Sequence, residues 1–226
     1  MQAIRAFIVP VIAAALTLTC GGGHPTRPSP TVVGSGTLAT ESWPVSGFSA
    51  ISISGAGRLV IERAGHESLQ VTAEDNILPL LAAEVHGGRL VIGPRPHTSL
   101  QTTREILYRL TVRDVSDIEA SGAAWVEARD LDTDRLRLAF SGASVARLAG
   151  IADSQRADLS GASRLIADGL QSRQVVANVS GTSYALVRVT DWLAASASGM
   201  STVEYIGDPE LSLDVSGSSV VRRLWP

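Results

Sequence analysis

Apolar residues in the second half of the chain recur in a fixed frame around a Ser-Gly pair. The pairs stand at Ser121-Gly122, Ser141-Gly142, Ser160-Gly161, Ser180-Gly181, Ser198-Gly199 and Ser216-Gly217, at intervals of 20, 19, 20, 18 and 18 residues, with an earlier copy at Ser54-Gly55. One and three places before each serine the chain is apolar: Ile118 and Ala120, Leu138 and Phe140, Ala157 and Leu159, Ala177 and Val179, Ala195 and Ala197, Leu213 and Val215. Between them stands a polar residue (Glu119, Asp158, Asn178, Ser196, Asp214), with Ala139 the exception. Three places after the serine come Ala124, Ser144, Ser163, Ser183, Ser201 and Ser219, and five places after it another apolar residue. Period-two alternation on both sides of a glycine turn predicts strand, turn, strand in every repeat. A period near 20 is too short for a propeller blade or an ankyrin unit, and the leucine-rich consensus is missing. It is the length of one coil of a parallel β-solenoid, whose coils stack about 4.8 Å apart and align equivalent residues in columns.

Upstream the pattern is also strand after strand, but less evenly spaced: Phe48 to Ile53, Leu59 to Ile61, Leu69 to Ala73, Arg89 to Ile92 and Ile106 to Val112. This predicts one β-helical domain over 37–226, with longer, irregular coils over 37–117 and regular ones over 118–226. The run Ile77 to Val85 contains Pro79, which allows one or two helical turns at most, and reads as irregular. Residues 94–103 read as an exposed loop. Residues 21–36, rich in Gly, Pro, Ser and Thr, cannot build a core and read as a flexible linker.

Ahead of that linker, Met1 to Arg5 carries one positive charge, Ala6 to Leu18 is an apolar run too short to span a bilayer, and Cys20 follows. Residues 1–20 thus read as an export signal. The segment Leu16-Thr-Leu-Thr-Cys20 resembles a bacterial lipoprotein box, in which the cysteine is acylated after cleavage. Thr17 stands where Leu is usual, and Thr19 is slightly large for its place. The alternative is an ordinary signal peptide with an incidental cysteine. A lipid on Cys20 plus a linker would stand an exported domain off a membrane, and Gly21 permits the outer membrane.

The 226 residues hold 45% hydrophobic and 18% charged side chains, the balance of a folded chain, yet only 4% aromatics. Small and β-branched residues fill the core positions, which suits stacked strands. All 19 basic residues are arginine, scattered along a chain of net charge −3. The absence of lysine excludes Schiff-base and Ser-Lys chemistry. The absence of a basic stripe argues against nucleic acid. Cys20, the single cysteine, has no internal disulfide partner.

The Ser-Gly-Ala/Ser-Ser spacing, the stretch Ala73-Glu-Asp-Asn-Ile-Leu-Pro-Leu80 with Gly87-Gly-Arg-Leu-Val-Ile92, and the closing Val215-Ser-Gly-Ser-Ser-Val-Val-Arg-Arg223 resemble the autotransporter-adhesin head domain called the GIN domain. The resemblance runs from about Phe48 to Arg223, with mild departures at Ala124, Thr182 and Met200. It implies a right-handed parallel β-helix in an exported bacterial protein, often a lipoprotein. It brings an adhesin label but no catalytic residues.

The residues themselves show no catalytic constellation. The serine ladder could present hydroxyls to a glycan, but a residue that every coil requires reads first as a corner residue satisfying its own backbone. The column Glu119, Asp158, Asn178, Asp214 reads as solvated surface rather than a cation or sugar site. Asp130, Asp132 and Asp134, with Arg129 and Arg135, read as a polar turn. His24, His66, His86 and His97 lack metal-ligand spacing. Gly142-Ala-Ser144 and Gly161-Ala-Ser163 lack the second glycine of a nucleophile elbow. The Gly34-Ser-Gly36 string has no following helix to bind a dinucleotide. Asn178-Val-Ser180 is a formal glycosylation sequon inside a strand. Trp125, Tyr184 and Tyr205 follow the turns and are the candidates for stacking on sugars or a protein partner, against the alternative that they shield corner or core. Trp225 is placed to cap the last coil. Together these readings predict a cell-envelope lipoprotein, adhesin-like and non-enzymatic, binding a surface glycan or protein and needing no cofactor or metal. A carbohydrate-active lyase or hydrolase is the alternative, and packing of flat faces into a homo-oligomer a further possibility.

Overall fold

A computed structural model describes residues 31–225. Cys20 and the export signal therefore lie outside the described residues. The first strands are β1 (Thr31–Val33), β2 (Leu38–Trp43), β3 (Ala50–Ile53), β4 (Ala56–Arg63), β5 (Ser68–Glu74), β6 (Leu81–His86), β7 (Arg89–Pro94), β8 (Ser99–Gln101) and β9 (Leu107–Val112). The repeats follow as β10 (Asp117–Ala120), β11 (Ala123–Phe140), β12 (Val145–Leu159), β13 (Arg164–Val179), β14 (Tyr184–Ala197), β15 (Thr202–Ile206), β16 (Glu210–Val215) and β17 (Val220–Arg223). They stack in parallel as a β-solenoid of about 5 turns, with β17-β15-β14-β13-β12-β11-β10-β3-β7 as the spine and β6 added antiparallel at its end.

Each long strand runs from one Ser-Gly corner to the next and bends midway at a register shift, between Ala128 and Leu131 in β11 and between Arg147 and Ala149 in β12. Alternation turns every second side chain inward, so stacking creates continuous inner columns. One of them runs Ile53, Ala120, Phe140, Leu159, Val179, Ala197, all buried. At the corners the glycines sit in the left-handed region, Gly142 at φ 72° and Gly161 at φ 75°. That leaves the backbone ladder unbroken through the turn: Ala143 N–H donates to the Gly122 carbonyl and Ala162 N–H to that of Gly142, each at 2.8 Å.

The N-terminal region is less regular, as expected, because antiparallel pairs interrupt the coils: β2 with β5, β5 with β9, and β6 with β7. Three expectations need correction here. Residues 31–36, assigned to the flexible linker, are docked: β1 pairs in parallel with β8, which lies inside the expected loop 94–103. The run Ile77 to Val85, read as irregular, makes one 3-10 turn at Leu78–Leu80, within what Pro79 allows, and from Leu81 on it is the strand β6. Trp225 caps nothing by burial: it is 76% exposed, with the Arg223 guanidinium 4.2 Å above its ring. Leu211, Leu213 and Val215 occupy inner-column positions of β16, yet they are exposed because no described strand covers that side.

The docked segment is held by the buried carboxylate of Glu74. It accepts from Gly36 N–H at 2.7 Å, Thr103 N–H at 3.0 Å and the Thr103 hydroxyl at 2.5 Å. The Thr103 hydroxyl, then the backbone amides of Gly36, Thr103 and Arg104, hold its pKa below the ordinary glutamate value despite burial, which pushes the other way. A depressed folded pKa means a stabilisation present above the ordinary value and lost as pH falls through the lower one. Glu74→Gln, or acidification into that range, is expected to remove hydrogen-exchange protection from residues 32–37 while leaving β12–β14 protected. Unchanged protection in the segment would show that Glu74 is not its clasp.

No helix among the described residues is long and apolar enough to cross a membrane.

Candidate functional site: a groove along the outer serines

The repeat frame presents its serines in two distinct ways. The serine three places after each corner turns inward. Ser144, Ser163, Ser183 and Ser201 are buried and donate to backbone carbonyls: Ser144 Oγ to Ser141, Ser163 Oγ to Ser160, Ser183 Oγ to Gly161, and Ser201 Oγ to Val179, at 2.9–3.3 Å. These hydroxyls fulfil the corner role expected of the ladder as a whole. The corner serines differ. Ser180 Oγ donates to the Leu159 carbonyl at 3.2 Å. The hydroxyls of Ser121, Ser141, Ser160 and Ser198, by contrast, have no hydrogen-bond partner among the described residues. The inner serines therefore spend their hydroxyls on the backbone, while most of the outer ones keep theirs free among the described residues.

The outer serines form one wall of a groove of about 480 Å3. The opposite wall is the column Ser52, Glu119, Ala139, Asp158, Asn178, Ser196, aligned coil by coil. Five coil steps make the groove about 24 Å long. The column expected to be merely solvated is half-buried and shapes this groove. Asp158 accepts from Arg156 Nε and Nη2, at 3.0 and 3.1 Å, and from Asn178 Nδ2 at 2.6 Å. Burial works to raise its pKa, but the hydrogen bonds from Asn178 and Arg156, helped by the charges of Arg156 and Arg137, hold it below the ordinary aspartate range. At the other end Arg89 contacts Asp117 at 2.8 Å and Glu119 at 3.1 Å, with Arg137 farther off at 3.7 and 3.9 Å.

The aromatic candidates do not converge on this groove. Trp125 and Tyr184 share a column with Val145 and Arg164 on the strand after the corner, three coils or about 14 Å apart. Trp125 is exposed. Tyr184 lies half-buried beneath the Arg164 guanidinium and donates its hydroxyl to Glu204. Burial, with the Glu204 hydrogen bond and charge, pushes the Tyr184 pKa up to about 12. Tyr205 is in the core: it stands seven places after its serine rather than four, and alternation turns that position inward beside Val187. Asp132 pairs with Arg63 at 2.9 Å, and Asp130 sits at the bend of β11 with φ 57°. Among the described residues no three His, Cys, Asp or Glu side chains are grouped to hold a metal.

Sequence reasoning passed over the arginines beside the groove. Asp117, Arg137 and Arg156 occupy one column four places before successive serines, an outward position that alternation identifies.

The fold and groove define a β-solenoid with a linear polar surface, built by repetition. The chain belongs to the family described as "Putative auto-transporter adhesin, head GIN domain", whose model matches residues 47–209. Solved structures agree in fold. A "putative adhesin" from Bacteroides fragilis matches with TM-score 0.71 at 20% identity, over 85% of this chain and 100% of that one. A "putative lipid binding protein" from Parabacteroides distasonis matches at 0.58 and 19%, over 87% and 100%. A "putative adhesin" from Parabacteroides merdae matches at 0.55 and 18%, over 86% and 99%. Among curated proteins none matches the chain.

Proposed function

We infer that this chain is an exported, adhesin-like binding module that holds an extended polysaccharide in the groove along its outer serines and is tethered to the cell envelope through acylated Cys20. The observation that carries the reading is the row of unspent hydroxyls at Ser121, Ser141, Ser160 and Ser198, repeated at the coil spacing. A β-linked chain of pyranose units advances by nearly that distance per sugar, so every coil along the groove except that of Ser180 can offer one sugar the same free hydroxyl. Carboxylates and the Asn178 amide on the facing wall supply acceptors and a donor for the sugar hydroxyls. The apolar floor of Phe140, Leu159 and Val179 lies between two rows of polar side chains, so a sugar ring can rest its C–H face on the floor while its hydroxyls meet the rows.

Binding without turnover is the better supported reading. A glycosidase needs one carboxyl group that keeps a proton, its pKa raised. Asp158 is shifted the other way, and Glu119 is engaged by Arg89.

The test is a glycan array probed with the full chain and with Ser196→Trp. Ser196 faces the groove from β14 and makes no side-chain hydrogen bond among the described residues, so the indole obstructs the groove without opening the core. Retention of an extended glycan by the wild type and its loss in Ser196→Trp are expected. Equal retention by both would remove the groove from the reading, and released sugars would replace binding with catalysis. In the same preparations Cys20→Ala should move the chain from the membrane to the soluble envelope fraction; unchanged partitioning would refute the tether.

A further inference from the structure

In the coil of β12 the outward pair Arg156-x-Asp158 closes on itself, with two guanidinium nitrogens on one carboxylate. The next coil, β11, places Arg137 and Ala139 at the same two positions, in register with Arg156 and Asp158. There the guanidinium is present and its carboxylate is missing. The acids that reach Arg137 come from β10, Asp117 at 3.7 Å and Glu119 at 3.9 Å, both beyond hydrogen-bond distance. Both are already held more closely by Arg89. Arg137 makes no side-chain hydrogen bond among the described residues and is about half exposed. Its donors therefore stay available at the groove's edge, while the Ala139 methyl leaves the adjoining wall low.

We propose that the groove selects a carboxylate-bearing polysaccharide, one of whose uronate groups sits over Ala139 and takes the Arg137 guanidinium in the way Asp158 takes that of Arg156. This rests on the glycan reading and narrows it to a polyuronate. A planar guanidinium fork matches a carboxylate in two parallel hydrogen bonds, geometry that a neutral sugar hydroxyl cannot reproduce. The flanking acids do not forbid it. Arg89 and Arg137 together balance Asp117 and Glu119, Asp158 is held by Arg156 and Asn178, and an incoming carboxylate takes the Arg137 donors that neither acid of β10 reaches by hydrogen bond. Outside the fork, the same row of hydroxyls and amides continues to bind the chain whatever its charge.

The experiment compares a β-linked oligoglucuronate with its methyl ester, in which each carboxylate is capped by a methyl group and its charge removed, against the full chain by calorimetry. Wild type is expected to prefer the free acid by about tenfold, the scale of one hydrogen-bonded charge contact. The preference should shrink as salt is raised. Arg137→Gln removes the fork, and Ala139→Asp supplies an internal carboxylate in the Arg156-Asp158 pattern. Both should abolish the preference, read within each variant as the ratio of its affinities for acid and ester. Equal binding of acid and ester by the wild type overturns the uronate assignment and leaves the glycan reading intact, as does a preference that survives both variants. Binding of neither oligomer overturns both. Binding of a polyglutamate peptide in place of the oligoglucuronate, dependent on Arg137, would overturn the sugar assignment.

Discussion

Replacing Gly161 with alanine is expected to destabilise the solenoid by about 2–5 kcal/mol, combining the strain of a left-handed residue with a backbone clash. Gly161 has φ 75°, and a Cβ built there would lie 2.7 Å from the carbonyl oxygen of Gly142 in the coil before it. That oxygen cannot move aside, because it accepts the Ala162 N–H at 2.8 Å and so belongs to the ladder that sets the coil spacing. Gly47 separates the two effects. Its φ is 77°, but a Cβ there meets nothing within 4 Å, so Gly47→Ala carries the conformational strain alone, about 1–2 kcal/mol. Urea unfolding of the two variants measures the difference. If Gly161→Ala cost no more than Gly47→Ala, close stacking of the corners would not be what demands glycine in every coil.

Phe140→Ala is expected to cost about 3–5 kcal/mol, the range for deleting a fully buried aromatic ring. Phe140 is among the largest fully buried side chains and stands between Ala120 and Leu159 in the inner column. Ala120 is small where Phe140 is large, so the ring fills the space its neighbour leaves. The variant would set two alanines side by side and open a void that stacked strands cannot close without breaking register. Phe140→Leu retains most of the volume and should cost less than about 1.5 kcal/mol. The groove supplies a second readout. Ala139 and Ser141, on either side of the ring, both line it, so collapse over the void should weaken glycan binding in Phe140→Ala and spare it in Phe140→Leu. Similar losses of stability in both variants would mean that the column tolerates the missing volume.

Much of the architecture was legible because its causes are local. Alternation shows which residues turn inward, Gly161 and its equivalents announce corners, and a period near 20 residues sets the length of a coil. These rules also predict the buried positions of Ala120, Phe140 and Leu159 before any contact is seen. The N-terminal region was harder, because β2, β5 and β9 pair antiparallel across long separations and repeat nothing. No local signal in Thr31-Val-Val33 reveals that it meets Ser99–Gln101, or that Glu74 holds the segment behind it. Nearness to a turn groups Tyr205 with Trp125 and Tyr184, but its odd offset from the serine turns it inward, so of the two readings open for it the core one applies.

The sequence by itself determined the coil, its register and the two-sided use of each strand, because period-two alternation and the glycine requirement belong to the backbone. Only the tertiary structure decided which serines are spent. Ser163 and Ser160 are three residues apart and chemically identical. One faces carbonyls inside the coil, while the other has no partner among the described residues. Hydrogen-bond satisfaction depends on what the neighbouring coil places within about 3 Å, and a repeat pattern does not carry that information. The same holds for Arg137, whose free donors depend on Ala139 beside it and on Arg89, 48 residues earlier, lying closer to Asp117 and Glu119 than Arg137 does.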